Sequence, residues 1–356
     1  MSSPYLSIRK TAVLAAGLLL SSTAAVAADD ATEKLRERAN QLFKTIPTAE
    51  EVIAEREIQA EHIELGRMLF FEPRLSKSQV ITCNTCHSIG TGGADNVPKS
   101  LGHGWNHGRR NSPTVLNAVF NGSQFWDGRA DDLKEQAEGP IQDAVEMNAT
   151  PEYVEEVLNS IPEYRELFAN AYADDKNPVS FANAVHAIGE FEATLVTPNA
   201  PFDKFLQGED ALNEQEREGL ALFMDKGCTA CHTGRNLGGE VFFKFGLVNE
   251  PSEAVRPADD QGLFELTGKE SDKYSFRTSQ LRNVALTAPY FHSGAVWNLE
   301  EAVKIMADTQ LGQKLSDDEA ASIAAFLGSL TGEQPAVEYP VLPASTANTP
   351  RPNHDK

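Results

Sequence analysis

All four cysteines of the 356-residue chain lie in two short motifs, 83-CNTCH-87 and 228-CTACH-232. C-x-x-C-H is the attachment signature of c-type haem: each thiol forms a thioether with a haem vinyl group, and the histidine that follows becomes the proximal iron ligand. The close spacing lets one turn of chain reach both vinyls and the metal. A thioredoxin-like redox pair wants a βαβ context, which neither motif has. Zinc does not require a histidine directly after the second cysteine in both copies. Four cysteines in an exported protein first suggest disulfides, but their arrangement argues otherwise. The motifs therefore predict two covalent c-type haems, one held by Cys83 and Cys86 with His87 on its iron, the other by Cys228 and Cys231 with His232.

Each motif must be carried by a fold, and similar helices enter both. In 61-EHIELGRMLFFEPRLS-76 the residues Ile63, Met68, Leu69 and Phe70 are placed to cover a haem edge. In 214-EQEREGLALFMDKG-227, Leu220, Phe223 and Met224 recur at helical spacing after the N-cap candidate Asn213. This is a weak duplication at domain scale. Further helices are predicted over 152–172, 178–195, 298–307 and 316–330, separated by Pro, Gly and Asn breaks. Segment 237–266 reads as loop with a short hairpin, and 197-TPNAPFDKF-205 as the join between domains. The expected fold class is mainly α, with two cytochrome c-like haem domains over 28–199 and 200–332. The tail 333–356, with five prolines, is expected to be an extended strap or partly disordered.

The chain opens with a targeting segment. Arg9 and Lys10 precede an apolar run, Thr11 to Leu20, too short to span a bilayer, and Ala25-Val26-Ala27 offers a small-residue cleavage site. Residues 1–27 thus read as a signal peptide cleaved near Ala27, with the mature protein in the periplasm, where haem attachment takes place. No later run is apolar or long enough for a membrane span. The formal charge is −21, from 52 acidic and 31 basic residues, so the surface repels nucleic acid. It is suited to steering a basic soluble partner, though solubility explains it equally well.

Two further stretches, 103-HGWNHGRRNSPTVLNAVFNGSQFWDGRADDL-133 and 284-VALTAPYFHSGAVWNLEEAVKIM-306, complete the pattern. With them the chain resembles the bacterial dihaem cytochrome c peroxidases from roughly Glu61 to Leu342. The related methylamine dehydrogenase maturation enzymes share the architecture, so the fold alone does not fix the reaction.

The resemblance implies a peroxidatic N-terminal haem and an electron-transfer C-terminal haem. His103 matches the histidine that caps the first iron in the oxidised protein and leaves when the other haem is reduced. The glycines between His87 and His103 (Gly90, Gly92, Gly93 and Gly102) lower the cost of such a movement. His107 matches no ligand and reads as an ordinary loop histidine. Met306 matches the sixth ligand of the second haem, where the maturation enzymes have tyrosine; taken alone, Met68, Met147 and Met224 are rivals. Glu146 matches the catalytic glutamate, Gln136 a pocket amide, Trp126 an aromatic between the haems, and Phe125 its neighbour that screens the peroxidatic pocket. Asn111, Thr287 and Pro289 match calcium ligands, supplying an amide oxygen and two backbone carbonyls. The implied reaction is reduction of hydrogen peroxide to water, with electrons from a small periplasmic c-type cytochrome or cupredoxin, by a homodimer. Two alternatives stand beside it: a non-enzymatic dihaem electron carrier, and a protein-modifying dihaem oxidase.

Overall fold

A computed structural model of the chain describes residues 30–355; the leader read from Arg9, Lys10 and Thr11 to Ala27 lies outside the described residues. Residues 30–42, helix α1, belong to one unit, and Phe43 onward forms a second, described below. Its helices are α2 (Ala49–Arg56), α3 (Ala60–Phe70), α4 (Cys83–Cys86), α5 (Leu133–Gln142), α6 (Pro151–Asn159), α7 (Pro162–Ala171) and α8 (Phe181–Ala193). They continue as α9 (Pro201–Leu206), α10 (Glu214–Asp225), α11 (Phe264–Thr267), α12 (Leu299–Leu311) and α13 (Asp317–Gly328). Two three-residue strands, β1 (Phe242–Lys244) and β2 (Ser275–Arg277), pair antiparallel with Phe243 opposite Phe276. The chain is mainly helical.

Several boundaries differ from the sequence expectation for identifiable reasons. The helix expected over 152–172 is two helices, because Pro162 forces Ile161 into an extended conformation (φ −112°, ψ 111°). The helix expected to run to residue 76 stops at Phe70, ahead of a 3₁₀ turn over Pro73–Leu75. The helix expected to end at 307 continues to Leu311, closed by left-handed Gly312. The expected hairpin within 237–266 is half right, since β1 takes its partner from outside that segment. Helix α5 escapes periodicity because Pro140 lies inside it.

The duplication is stronger in space than in sequence. Helices α3 and α8 cross at Gly66, where a Cβ would stand 1.9 Å from Ala187 O and 2.8 Å from Phe191 Cβ. Helices α10 and α13 cross at Gly219, where a Cβ would stand 1.8 Å from Ser322 O and 2.9 Å from Phe326 Cβ. In both crossings the contacted carbonyl and phenylalanine are one helical turn apart, and the glycine-bearing helix leads into a C-x-x-C-H motif. A second repeated block follows. Left-handed Asn117 opens the turn Ala118–Phe120, and left-handed Asn283 opens Val284–Leu286. Then Phe125 and Phe291 both adopt positive φ, as do Gly128 and Gly294, and bridges close at Gln124–Ala130 and Tyr290–Val296. In this register Trp126 corresponds to His292. The two blocks meet at one buried hydroxyl: Asn117 Nδ2 and Asn283 Nδ2 donate to Thr197 Oγ1 at 2.7 and 2.9 Å.

The segment after Gly332 contains no helix or strand among its described residues and packs as a strap. Glu338 O accepts from Arg67 Nη1 (2.6 Å), Tyr339 lies 4.8 Å from Phe71 ring to ring, and Ser345 Oγ accepts from Arg74 Nη1 (3.1 Å). Farther along, Thr346 Oγ1 donates to Ser160 O (3.0 Å), Pro350 O accepts from Gln79 Nε2 (2.9 Å), and Asn353 N donates to Lys77 O (2.9 Å).

Alanine in place of glycine inside a helix ordinarily stabilises it by up to about 1 kcal/mol. At these crossings the sign should reverse: Gly66→Ala and Gly219→Ala are each expected to cost about 2–3 kcal/mol through overpacking against a backbone carbonyl, measured by calorimetric unfolding of the holoprotein.

Candidate haem cavities and the wall between them

Helix α4 is a single turn, fixed by the reciprocal cap between Thr82 and Thr85, and it presents Cys83, Cys86 and then His87. His87 Nδ1 donates to Pro113 O at 3.0 Å. In the second motif, left-handed Gly227 opens a 3₁₀ turn over Cys228–Ala230, and His232 Nδ1 donates to Leu237 O at 2.8 Å. Anchoring one ring nitrogen on a carbonyl orients each imidazole and leaves Nε2 as the ligating atom. Burial lowers the pKa of both histidines, which favours the neutral, metal-binding form. Burial also raises the thiols: Cys83 upward, Cys86 to about 12 and Cys228 to about 11. A redox C-x-x-C pair needs a depressed thiol pKa, and these thiols are shifted the other way.

The first motif opens into a cavity of about 380 Å³, lined also by Phe125, Gln136 and Glu146. The second opens into one of about 200 Å³, into which α12 brings Met306. Among the rival methionines, Met68 and Met224 line neither cavity and Met147 lines the first. Trp126 lines both cavities, its indole Nε1 donating to Asn111 O at 2.8 Å. Phe125 lies beneath the guanidinium of Arg129, 3.4 Å from Arg129 Cζ to the ring centre. Burial raises the Glu146 pKa, Asp143 adds to the rise, and Arg129 opposes it.

His103 is not among the residues that line the first cavity; Gly102 is. The histidine is 1% exposed in the turn His103–Trp105, where its Nε2 makes a 2.9 Å hydrogen bond to Asp355 O in the strap, while its buried Nδ1 has no partner. Its backbone N–H donates to Glu146 O at 2.7 Å. Gly102 permits that approach, since a Cβ there would stand 2.1 Å from Val145 O and 2.8 Å from Glu146 Cα. His107 is exposed, with Nδ1 3.3 Å from Lys99 O.

Asn111, Thr287 and Pro289 line one small cavity of about 50 Å³ beside Trp126. Asn111 Nδ2 donates to Val97 O, and Oδ1 accepts no hydrogen bond among the described residues, which fits a hard-cation ligand. Arg277 and Arg282 line the same cavity, and no carboxylate does. The oxygen donors fit calcium, but the charge balance there needs anions from elsewhere.

Four residues of the cavities were missed by the sequence reading. Glu192, pushed up to about 8 by burial, and Arg129 line the first; His292 lines the second; Arg277 lines both. Only His292 had a recoverable signal, through its duplicate relation to Trp126. Isolated charged residues read as solvated surface until the fold buries them.

Gly102→Ala is expected to break the bond from His103 N–H to Glu146 O. Losing about 1 kcal/mol of hydrogen bonding should speed exchange of the His103 amide roughly fivefold in native-state hydrogen exchange.

Comparison with known proteins agrees with this arrangement. A family model described as di-haem cytochrome c peroxidase matches residues 60–211. A cytochrome c551 peroxidase of Pseudomonas aeruginosa is 57% identical over 94% of this chain and 96% of its own. One of Nitrosomonas europaea is 48% identical over 82% of this chain and 86% of its own. Among solved structures, a MauG-like protein associated with microbial copper homeostasis superposes with a TM-score of 0.70 at 29% identity, covering 79% of this chain and 92% of that one. With its two attachment motifs, paired cavities and these relatives, the chain belongs to the di-haem cytochrome c peroxidase family.

Proposed function

We propose that this protein is a periplasmic cytochrome c peroxidase that reduces hydrogen peroxide to water with electrons from a small soluble c-type cytochrome or cupredoxin. The observation that carries the reading is the inequality of the two cavities: carboxyl groups, Glu146 among them, line the first, whereas no carboxyl lines the second, which is walled mostly by apolar and aromatic side chains with Met306 among them. When bound, the two haems supply one-electron redox centres and, at the first, the iron at which peroxide reacts.

The chain divides the work between a peroxidatic part over 28–199 and an electron-transfer part over 200–332. Met306 would hold the second iron through its thioether, a ligand that favours the reduced state and suits an electron-entry site. Trp126 fills the wall that electrons cross. In the first cavity Glu146 takes a proton from the incoming peroxide and returns one to the departing oxygen. Its raised pKa brings that exchange closer to neutral pH. Gln136 orients the substrate, and Phe125 screens the pocket. His103 would be the gate, capping the first iron at rest and withdrawn from the first cavity when held by Asp355 O as described above. Asn111, Thr287 and Pro289 would hold calcium, which would stiffen the segments flanking Trp126, and the active form would be a homodimer.

Two variants test the assignment. Glu146→Gln should retain both haems and the native helical spectrum yet lose at least about 100-fold in peroxide turnover, the usual scale of a general acid–base contribution; near wild-type turnover would remove Glu146 from the chemistry. His103→Gly should turn over peroxide from the fully oxidised state without a priming electron. A variant that still needs prior reduction would show that His103 is not the gate.

A further inference from the structure

Arg277 ends β2 and enters the wall between the cavities. Its backbone N–H donates to Trp126 O at 2.8 Å and its Nε to Phe125 O at 3.1 Å. It lines both cavities that the two motifs open into, and the small one beside Trp126. Four arginines are buried among the described residues. Arg74 pairs with Glu72 at 2.5 Å, Arg256 with Glu250 at 3.5 Å and Arg282 with Asp203 at 2.7 Å. Arg277 is 5% exposed, forms no ion pair, and keeps Nη1 buried without a hydrogen-bond partner.

Desolvation lowers its pKa only to about 10, so the group stays charged at neutral pH. An uncompensated buried charge costs several kcal/mol, and a chain with 52 acidic residues does not lack carboxylates to offer. The missing anion must therefore come from what the cavities receive. A c-type haem carries two propionates. The other orphaned polar atom lining the second cavity, His292 Nε2, belongs to an imidazole pushed down to about 4 by burial, so it contributes no charge near neutrality. We propose that Arg277 is the shared counter-charge for the propionates of both haems, one guanidinium placed between the two cavities and tied by its own backbone to Trp126. A cation held there favours the less positive, reduced state of either iron, so it raises both potentials and links them.

This rests on the two-haem reading above, and the failures separate: absence of two c-haem spectra sinks that reading, whereas two haems with unmoved potentials sink only this one. The test is spectroelectrochemical titration of the holoenzyme and of Arg277→Gln and Arg277→Lys. For Arg277→Gln the reduced-to-oxidised ratio of each haem, read at its own wild-type midpoint, should fall about tenfold, equivalent to 59 mV for a one-electron couple. Arg277→Lys, which keeps the charge, should recover most of the loss. A shift at one haem only, or at neither, overturns the proposal. If Arg277→Gln does not retain both haems, resonance Raman of Arg277→Lys decides. Altered propionate-bending bands at both haems support a shared contact, because an ammonium cannot reproduce the guanidinium fork; unchanged bands at either haem overturn it.

Discussion

Two amide groups reaching for one hydroxyl hold the arrangement together. Asn117 and Asn283 stand at equivalent points of the repeated block, and both donate to Thr197 Oγ1, while Thr197 N–H returns a bond to Asn117 Oδ1 at 2.8 Å. Thr197 is fully buried, so an unmet member of this network would leave a desolvated polar atom. Because the contact fixes one block against the other, it also fixes what each block carries. Trp126 and His292 come to face one another with ring centres 6.2 Å apart. The thin wall between the cavities is thus a product of a distant polar lock.

The interior handles charge in a consistent way. Arg110 bridges Asp127 and Asp260, with Nη1 at 2.5 Å and Nη2 at 2.6 Å from the two carboxylates. Arg282 pairs with Asp203 and also donates to the carbonyls of Arg235 and Lys44. Such buried ions add little net stability but penalise any rearrangement that separates them. They surround the cavities with segments that lack helical bonding of their own, and so give loops the positional definition that helices have intrinsically.

What the sequence disclosed follows the range of the interactions involved. The C-x-x-C-H motifs are local, because five consecutive residues must meet one porphyrin, and they are readable without any fold. Helices α10 and α13 carry capping boxes and apolar stripes, and their positions were readable too. Pro162 and Pro140 acted on neighbouring backbone in ways that periodicity does not weigh. Glu146, Gln136, Trp126 and Met306 were reachable only through family resemblance, since each is unremarkable in isolation. Arg277, Glu192 and Thr197 matter because of burial and of partners far along the chain, and no local pattern marks them. The glycines at the two helix crossings belong to the same class: their role becomes visible only once another backbone lies within 2 Å of the missing side chain.

The bond between His103 and the strap has a chemical consequence. A carbonyl can only accept, so the ring nitrogen facing Asp355 O must carry the imidazole proton. The lone pair of the neutral ring is then on Nδ1, which is enclosed without a donor. Any partner that needs a lone pair on Nε2 would therefore require a change of tautomer as well as of place. The strap thus sets not only where the imidazole lies but also which of its nitrogens holds the proton.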